Sequence, residues 1–298
     1  VPIRQLTLGG SPAVALRGSE VEVVVVPSEG ARIAHLRRPA GREWLRGGGG
    51  GGWRESLMVT GVGEDASAAT DAWQDAPWEH TLLEHPQGVT LASRAILADR
   101  SLELQRELTI DPHVATVRML YAVRHGGTTP LHWIWGIRAA WTSRAGTLLH
   151  LPGVTQVQVT GTHGRPDLDA GDLVSWPGAI GGDASRFRVS PDQAWTVTCG
   201  GDLGAPGRIT IVDPDREERL EMRTDIARVP HVVVELLGGG GDDLPPGICV
   251  APHIGVPHQL EAAILAGTAA RLVPGEERSW GVELRLVDPE RDDLPDGP

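Results

Sequence analysis

Leu102-Glu103-Leu104-Gln105-Arg106-Glu107-Leu108-Thr109-Ile110 carries an apolar side chain at nearly every even position and a polar one between. Successive residues of a β-strand point to opposite faces, so this period of two suits a half-buried strand and not a helix. Residues 280–286 repeat the pattern, and 21–26, 89–92, 114–123, 154–160, 208–212 and 232–237 read as further strands, the more continuous ones covered on both faces. Asp111-Pro112-His113, His125-Gly126-Gly127 and Pro274-Gly275-Glu276 supply turn chemistry between such runs. Only residues 260–266, closed by Gly267, show a helical pattern. Many strands with close-set turns predict an all-β fold, and a chain of 298 residues has room for one large two-sheet β-sandwich with few short helices. No repeat or long linker divides it. A single domain over 1–298 is expected, with its core at about 18–288 and a frayed acidic tail at 289–298.

Charge narrows the partners. With 27 basic against 39 acidic residues the chain carries a net charge of -12, which argues against nucleic acid and anionic membrane surfaces. Every basic side chain is arginine, because the sequence has no lysine and no asparagine. That removes Schiff-base chemistry on lysine and N-linked glycosylation, and the glycine run 47–52 has no lysine to make it a phosphate-binding P-loop. Cys199 and Cys249 sit in apolar, strand-like surroundings and read as two buried thiols, a single bridge remaining open. No run approaches the roughly 18 apolar residues that span a bilayer, and the first residues lack the build of a signal peptide. A cytoplasmic protein of open oligomeric state is the expectation. Histidine pairs such as His253 with His258, or His80 with His85, are spaced for neither a strand face nor a helix turn. No metal and no cofactor is expected.

Ten tryptophans stand against one tyrosine and one phenylalanine. Trp53, Trp73, Trp78, Trp133, Trp135 and Trp141 lie in or beside segments rich in Gly, Pro or charge, where cores are not usually built. Indole faces stack on sugar rings, so some of these residues are expected to line a cleft. A second candidate is the stretch 248–260, an apolar run that ends at Pro252 and continues into a loop bearing His253 and His258. Strand ends and the loops beyond them commonly carry function.

Five motifs in order resemble the galactose mutarotase-like superfamily, of the aldose 1-epimerase type. Pro27-Ser28-Glu29-Gly30-Ala31-Arg32-Ile33-Ala34-His35-Leu36 is similar to the family's P-x-x-G-A-x-I-x-x-L turn, and Gly52-Trp53-Arg54-Glu55 to its G-W-x-E segment. Asp71-Ala72-Trp73 with Pro77-Trp78 resembles the end of its H-G-[DE]-x-W loop. Trp135-Gly136-Ile137-Arg138 sits where a strand ends in W-x-x-H, and Cys249-Val250-Ala251-Pro252 where the family has C-x-E-P, followed by a match to its G-E-x-x-S-W at Gly275 to Trp280. The resemblance implies a β-supersandwich and a sugar site where a glutamate takes the anomeric hydroxyl proton and a histidine protonates the ring oxygen.

Carried over position by position, that glutamate falls on Ala251, that histidine on Arg138, and a second histidine on Ala69. Neither Ala251 nor a guanidinium is a useful proton shuttle near neutral pH. The resulting expectation is a carbohydrate-binding, aldose 1-epimerase-like protein without ordinary mutarotase catalysis, its ligand held by Trp53, Trp73, Trp135, Arg138, Trp141 and Ala251. The alternative is an isomerase of carbohydrate metabolism acting on a sugar or sugar acid with a relocated pair, His253 with Asp71 or with Glu55 on the Trp53 loop. An enzyme on the same scaffold with a non-sugar ligand is a further option.

Overall fold

The computed structural model describes residues 2–46, 51–60, 70–71, 73, 76, 78–85, 88–98, 101–165, 167–178, 184–188, 195–215, 218–239, 247–257 and 259–288. Its first half runs β1 Ile3–Leu8, β2 Ser11–Arg17, β3 Glu22–Val26, β4 Arg32–Arg37, β5 Trp53–Val59, β6 Thr70–Asp71, β7 Glu79–His85, β8 Gly88–Leu97, β9 Leu102–Ile110, β10 Thr116–His125 and β11 Leu131–Trp141. The second half follows with β12 Leu148–His150, β13 Gln156–His163, β14 Leu173–Ser175, β15 Trp195–Asp202, β16 Arg208–Val212, β17 Arg219–Thr224, β18 His231–Gly239, β19 Gly247–Ile254, α1 Leu260–Leu265, β20 Ala270–Leu272 and β21 Glu277–Val287.

These strands form two antiparallel sheets. The larger has thirteen strands in the order β1-β2-β3-β4-β5-β11-β19-β18-β15-β13-β14, with β6 paired to β5 and β20 to β11. The smaller has eight, in the order β12-β16-β17-β21-β10-β9-β8-β7. The all-β sandwich expected from the alternation is the fold. Gly9 and Gly10, both at positive φ (58° and 91°), close the β1–β2 hairpin, because two consecutive left-handed residues match the twist of the strands they join. This hairpin extends the larger sheet ahead of residue 18, where the core was expected to begin. The segment after the glycine run is not a loop: residues 53–59 are β5, a central strand between β4 and β11. Among the described residues no helix is long and apolar enough to cross a membrane.

A core of alternate side chains fills the space between the sheets. Trp53, Trp73, Trp133, Trp135, Trp141 and Trp280 belong to it, so indoles occupy the volume that phenylalanines commonly take. Tyr121 of β10 lies at the centre, its ring stacked on Trp280 with centroids 5.6 Å apart and tilted against Trp135 at 4.9 Å and Trp73 at 5.7 Å. Both cysteines are reduced and buried, and burial pushes each thiol up to about 12. Residue Ala69, residue His258 and the 289–298 tail lie outside the described residues.

Candidate functional site: a cleft on the outer face of the larger sheet

The side chains of β5 alternate, with Trp53, Glu55, Leu57 and Val59 buried and Arg54, Ser56 and Met58 half-buried. Glu55 faces the smaller sheet. Its Oε1 accepts hydrogen bonds from Arg106 Nη1 on β9 at 2.7 Å, from the Tyr121 hydroxyl on β10 at 3.0 Å and from Trp53 Nε1 at 3.0 Å. Arg54 and Ser56 therefore project from the opposite side of β5, away from the sandwich interior.

Residues directly opposed on neighbouring strands share a face, so register carries this outer surface across the sheet. Ser56 opposes Gly136, Gly136 opposes His253, and His253 opposes His231. In the next row Arg54 opposes Arg138, and Val233 opposes Ala251. Beyond it Glu235 opposes Cys249, which opposes Ala140. Together these rows floor a cleft of about 480 Å³ bordered by Arg54, Asp71, Arg138, Glu235, Ala251 and His253.

Gly136 leaves the space that the His253 ring fills: a Cβ there would stand 2.0 Å from His253 Cε1 and 2.1 Å from Nδ1. The imidazole thus lies against the backbone of β11, where Nε2 donates to the Ile137 carbonyl at 3.3 Å. Its cross-strand neighbour His231 donates through Nδ1 to Asp202 Oδ1 at 2.9 Å. Burial holds the His231 pKa below the ordinary imidazole value, with Asp202 pulling the other way.

At the cleft edge Asp71 Oδ1 accepts from the backbone N–H of Leu57 at 3.2 Å and of Trp73 at 3.1 Å, which ties β6 to β5. Arg138 is the most open of the bordering groups, its side chain 65% exposed and its Nη2 3.7 Å from Glu235. Arg54 Nη2 lies 3.7 Å from Glu29. Burial, and after it the positive charge of Arg32, depress the Arg54 pKa, while Glu29 opposes the shift.

The sequence-based site residues separate into two groups. Arg138, Ala251, His253 and Asp71 border one cleft. Trp53, Trp73 and Trp141 do not line it; all three are fully buried in the intersheet core, Trp53 and Trp141 because the strand period of β5 and β11 turns them inward. Trp135 also sends its ring into the core, against Tyr121 and Trp280, and its backbone passes under the cleft. Glu55, expected on a loop, lies on β5; like Trp135 it borders the cleft through its strand, while its carboxylate is turned inward to Arg106 and Tyr121. Glu235 was missed. The signal was present: a carboxylate interrupting the apolar run Val232-Val233-Val234-Glu235-Leu236-Leu237 requires one face of that strand to be polar. Among the described residues no three His, Cys, Asp or Glu side chains gather in a way that could hold a metal ion.

Two broad antiparallel sheets packed face to face give the chain the β-sandwich fold of solved galactose mutarotase-like structures. The Slr1438 protein of Synechocystis shares the fold at a TM-score of 0.71 and 16% identity over 93% of this chain and 96% of its own. A galactose mutarotase-like protein of Lactobacillus casei aligns at 0.66 and 14% identity, covering 92% of this chain and all of that one (100%). Another from Clostridium acetobutylicum aligns at 0.67 and 11% identity, over 97% of this chain and 99% of that one. No family model and no curated protein matches the chain by sequence.

Proposed function

We propose that this chain binds a sugar or sugar derivative in the outer-face cleft and does not accelerate ordinary aldose mutarotation. One observation carries the reading: Ala251 and Arg138, the positions where the resemblance expects the glutamate and histidine, border the same cleft as His253. The volume falls in the range of about 300–1,000 Å³ usual for small-molecule sites. With methyl and guanidinium groups in place of that glutamate and histidine, the cleft keeps groups that can hold a ring and lacks the base and acid that the resemblance expects at these two positions. Loss of a single acid or base typically lowers a rate by a factor of about 10²–10⁴, and mutarotation already proceeds in water. Polarimetry on fresh α-glucose and α-galactose, beside calorimetric titration of the same sugars, tests both halves. The expected result is saturable binding with optical rotation relaxing at the buffer rate. A rate above buffer overturns the catalytic half, and no heat from any sugar overturns the binding half.

Asp71 and His253 bordering one cleft support a second reading, an isomerase with relocated groups. In it, Asp71 would take the anomeric proton while His253 delivers one to the ring oxygen. Any detected turnover must then fall in both His253→Ala and Asp71→Asn; turnover unchanged in either removes this reading.

A further inference from the structure

Resting on the reading that the cleft takes a sugar, we propose that its ligand carries an anionic group, a carboxylate or phosphate ester, gripped between Arg54 and Arg138. The two residues are direct cross-strand partners on β5 and β11, and both border the cleft. Directly opposed residues have Cβ atoms only about 4.5–5.5 Å apart, and like charges placed so are destabilising. A sheet keeps such a pair at a stability cost unless something between them is negative.

Protein carboxylates only partly supply that charge. Glu29 is 2.8 Å from Arg32 Nε and 3.7 Å from Arg54, so it serves Arg32 first. Glu235 stands 3.7 Å from Arg138. Both 3.7 Å contacts are longer than a charge-assisted hydrogen bond, which runs about 2.7–2.9 Å. Arg54 Nε is buried and has no hydrogen-bond partner among the described residues. Asp71 does not fill the need. It opposes Met58, four residues along β5 from Arg54, roughly 13 Å away at the rise of a strand. Beside the pair, Ala251 presents a methyl group, leaving room for ligand where a longer side chain would stand.

A planar guanidinium donates two parallel hydrogen bonds to a carboxylate or phosphate, and two guanidiniums on adjacent strands can hold one such group from both sides. The sugar ring then lies along the cleft toward Gly136 and His253.

Calorimetry on the full chain at low salt tests the assignment, with glucose, galactose, their uronic acids, their 6-phosphates and inorganic phosphate as probes. The expected result is that an acid or a 6-phosphate binds at least about ten-fold more tightly than its neutral parent, as hydrogen bonds to charged groups predict. Arg138→Gln, at a position whose side chain is 65% exposed, should abolish most of the advantage of the anion over its neutral parent, and Arg54→Gln should do the same. Preference for the uronic acid or for the phosphate ester identifies the source of the charge. Neutral sugars binding as tightly as the anions overturn this inference and leave the sugar cleft standing. Inorganic phosphate binding as tightly as the 6-phosphates, unchanged in Arg138→Gln, also overturns it, and silence from every probe overturns both readings.

Discussion

Removing one partner of the buried Glu55–Arg106 pair should cost far more than removing both. Each side chain is fully buried, and their 2.7 Å contact joins β5 of the larger sheet to β9 of the smaller. Arg106 Nη2 also donates to the Ala31 carbonyl at 2.6 Å, at a turn where Ala31 itself holds a positive φ of 53°. Burial, and then the neighbouring Glu55 carboxylate, push the Tyr121 hydroxyl well above its ordinary range, so it remains a donor to Glu55. Glu55→Gln keeps the shape and an acceptor for Trp53 and Tyr121 but leaves the guanidinium charge buried without its counter-charge. Arg106→Met does the reverse. Each single change should lower stability by about 3–5 kcal/mol, out of a total of about 5–15 kcal/mol for a typical folded domain.

The double variant Glu55→Gln/Arg106→Met buries no charge. It keeps the Trp53 and Tyr121 hydrogen bonds on the new amide oxygen and loses the donor to Ala31, a cost of about 1–3 kcal/mol. The two single effects should therefore fail to add by at least about 3 kcal/mol, measured as a double-mutant cycle in urea at constant slope. Sugar affinity per folded molecule should be unchanged throughout, because the Glu55 carboxylate is fully buried against Arg106 and Tyr121 and only its stretch of β5 borders the cleft. Single costs under 1 kcal/mol, additive costs, or a Glu55→Gln protein of full stability that has lost ligand affinity would each refute the argument.

Three further outcomes follow from the geometry. Gly136→Ala should force the His253 ring off β11, with loss of the Ile137 hydrogen bond and an off-rotamer side chain together costing about 1–3 kcal/mol, and denaturation in a His253→Ala background should show the cost gone. Thermal unfolding followed from pH 7 to pH 5 should show stability declining. His80 and His231 both have pKa values held below the ordinary imidazole value, chiefly by burial, so their contribution is complete above about 6.5 and is lost as pH falls toward their folded values; a flat profile contradicts this. Cys199 and Cys249, with thiols near 12, should resist a thiol reagent at pH 8 until the chain is unfolded, and rapid labelling of either in the native protein would refute their burial.

Period-two alternation was enough to place β9, β16 and most of β21, because a sheet with one covered face writes its orientation directly into the sequence. Central strands were harder. β5 reads Trp-Arg-Glu-Ser-Leu-Met-Val, and its inward side carries both an indole and a carboxylate, so the hydrophobic pattern that marks a strand is broken by a residue whose partner, Arg106, lies 51 positions away. Such a pair is invisible until the fold brings it together. The tryptophans were misplaced for a related reason. Nearby Gly, Pro and charge describe the loops on either side of a strand and say nothing about which face an indole takes. In a chain with one phenylalanine and one tyrosine, intersheet volume has to be filled by tryptophan, and that composition was the better guide. The cleft itself was legible only through the family resemblance, which brought Arg138 and Ala251 to one place from 113 residues apart. Glu235, with no motif to mark it, and Arg54, the variable position of the G-W-x-E segment, required the register.

Core and cleft depend on the same alignment of β5. Its register sends Glu55 inward to Arg106 and Arg54 outward to the cleft. A slip of one residue would exchange every side chain between the faces, bringing Arg54 toward the buried Arg106 and leaving Glu55 opposite the cleft arginine Arg138. Two guanidiniums would then share a dry site with no carboxylate, a far larger penalty than any apolar mismatch on the same strand. The buried ion pair thus discriminates between registers even where its net contribution to stability is small. The arginine pair of the cleft is held in place by a charge interaction on the opposite side of the sheet.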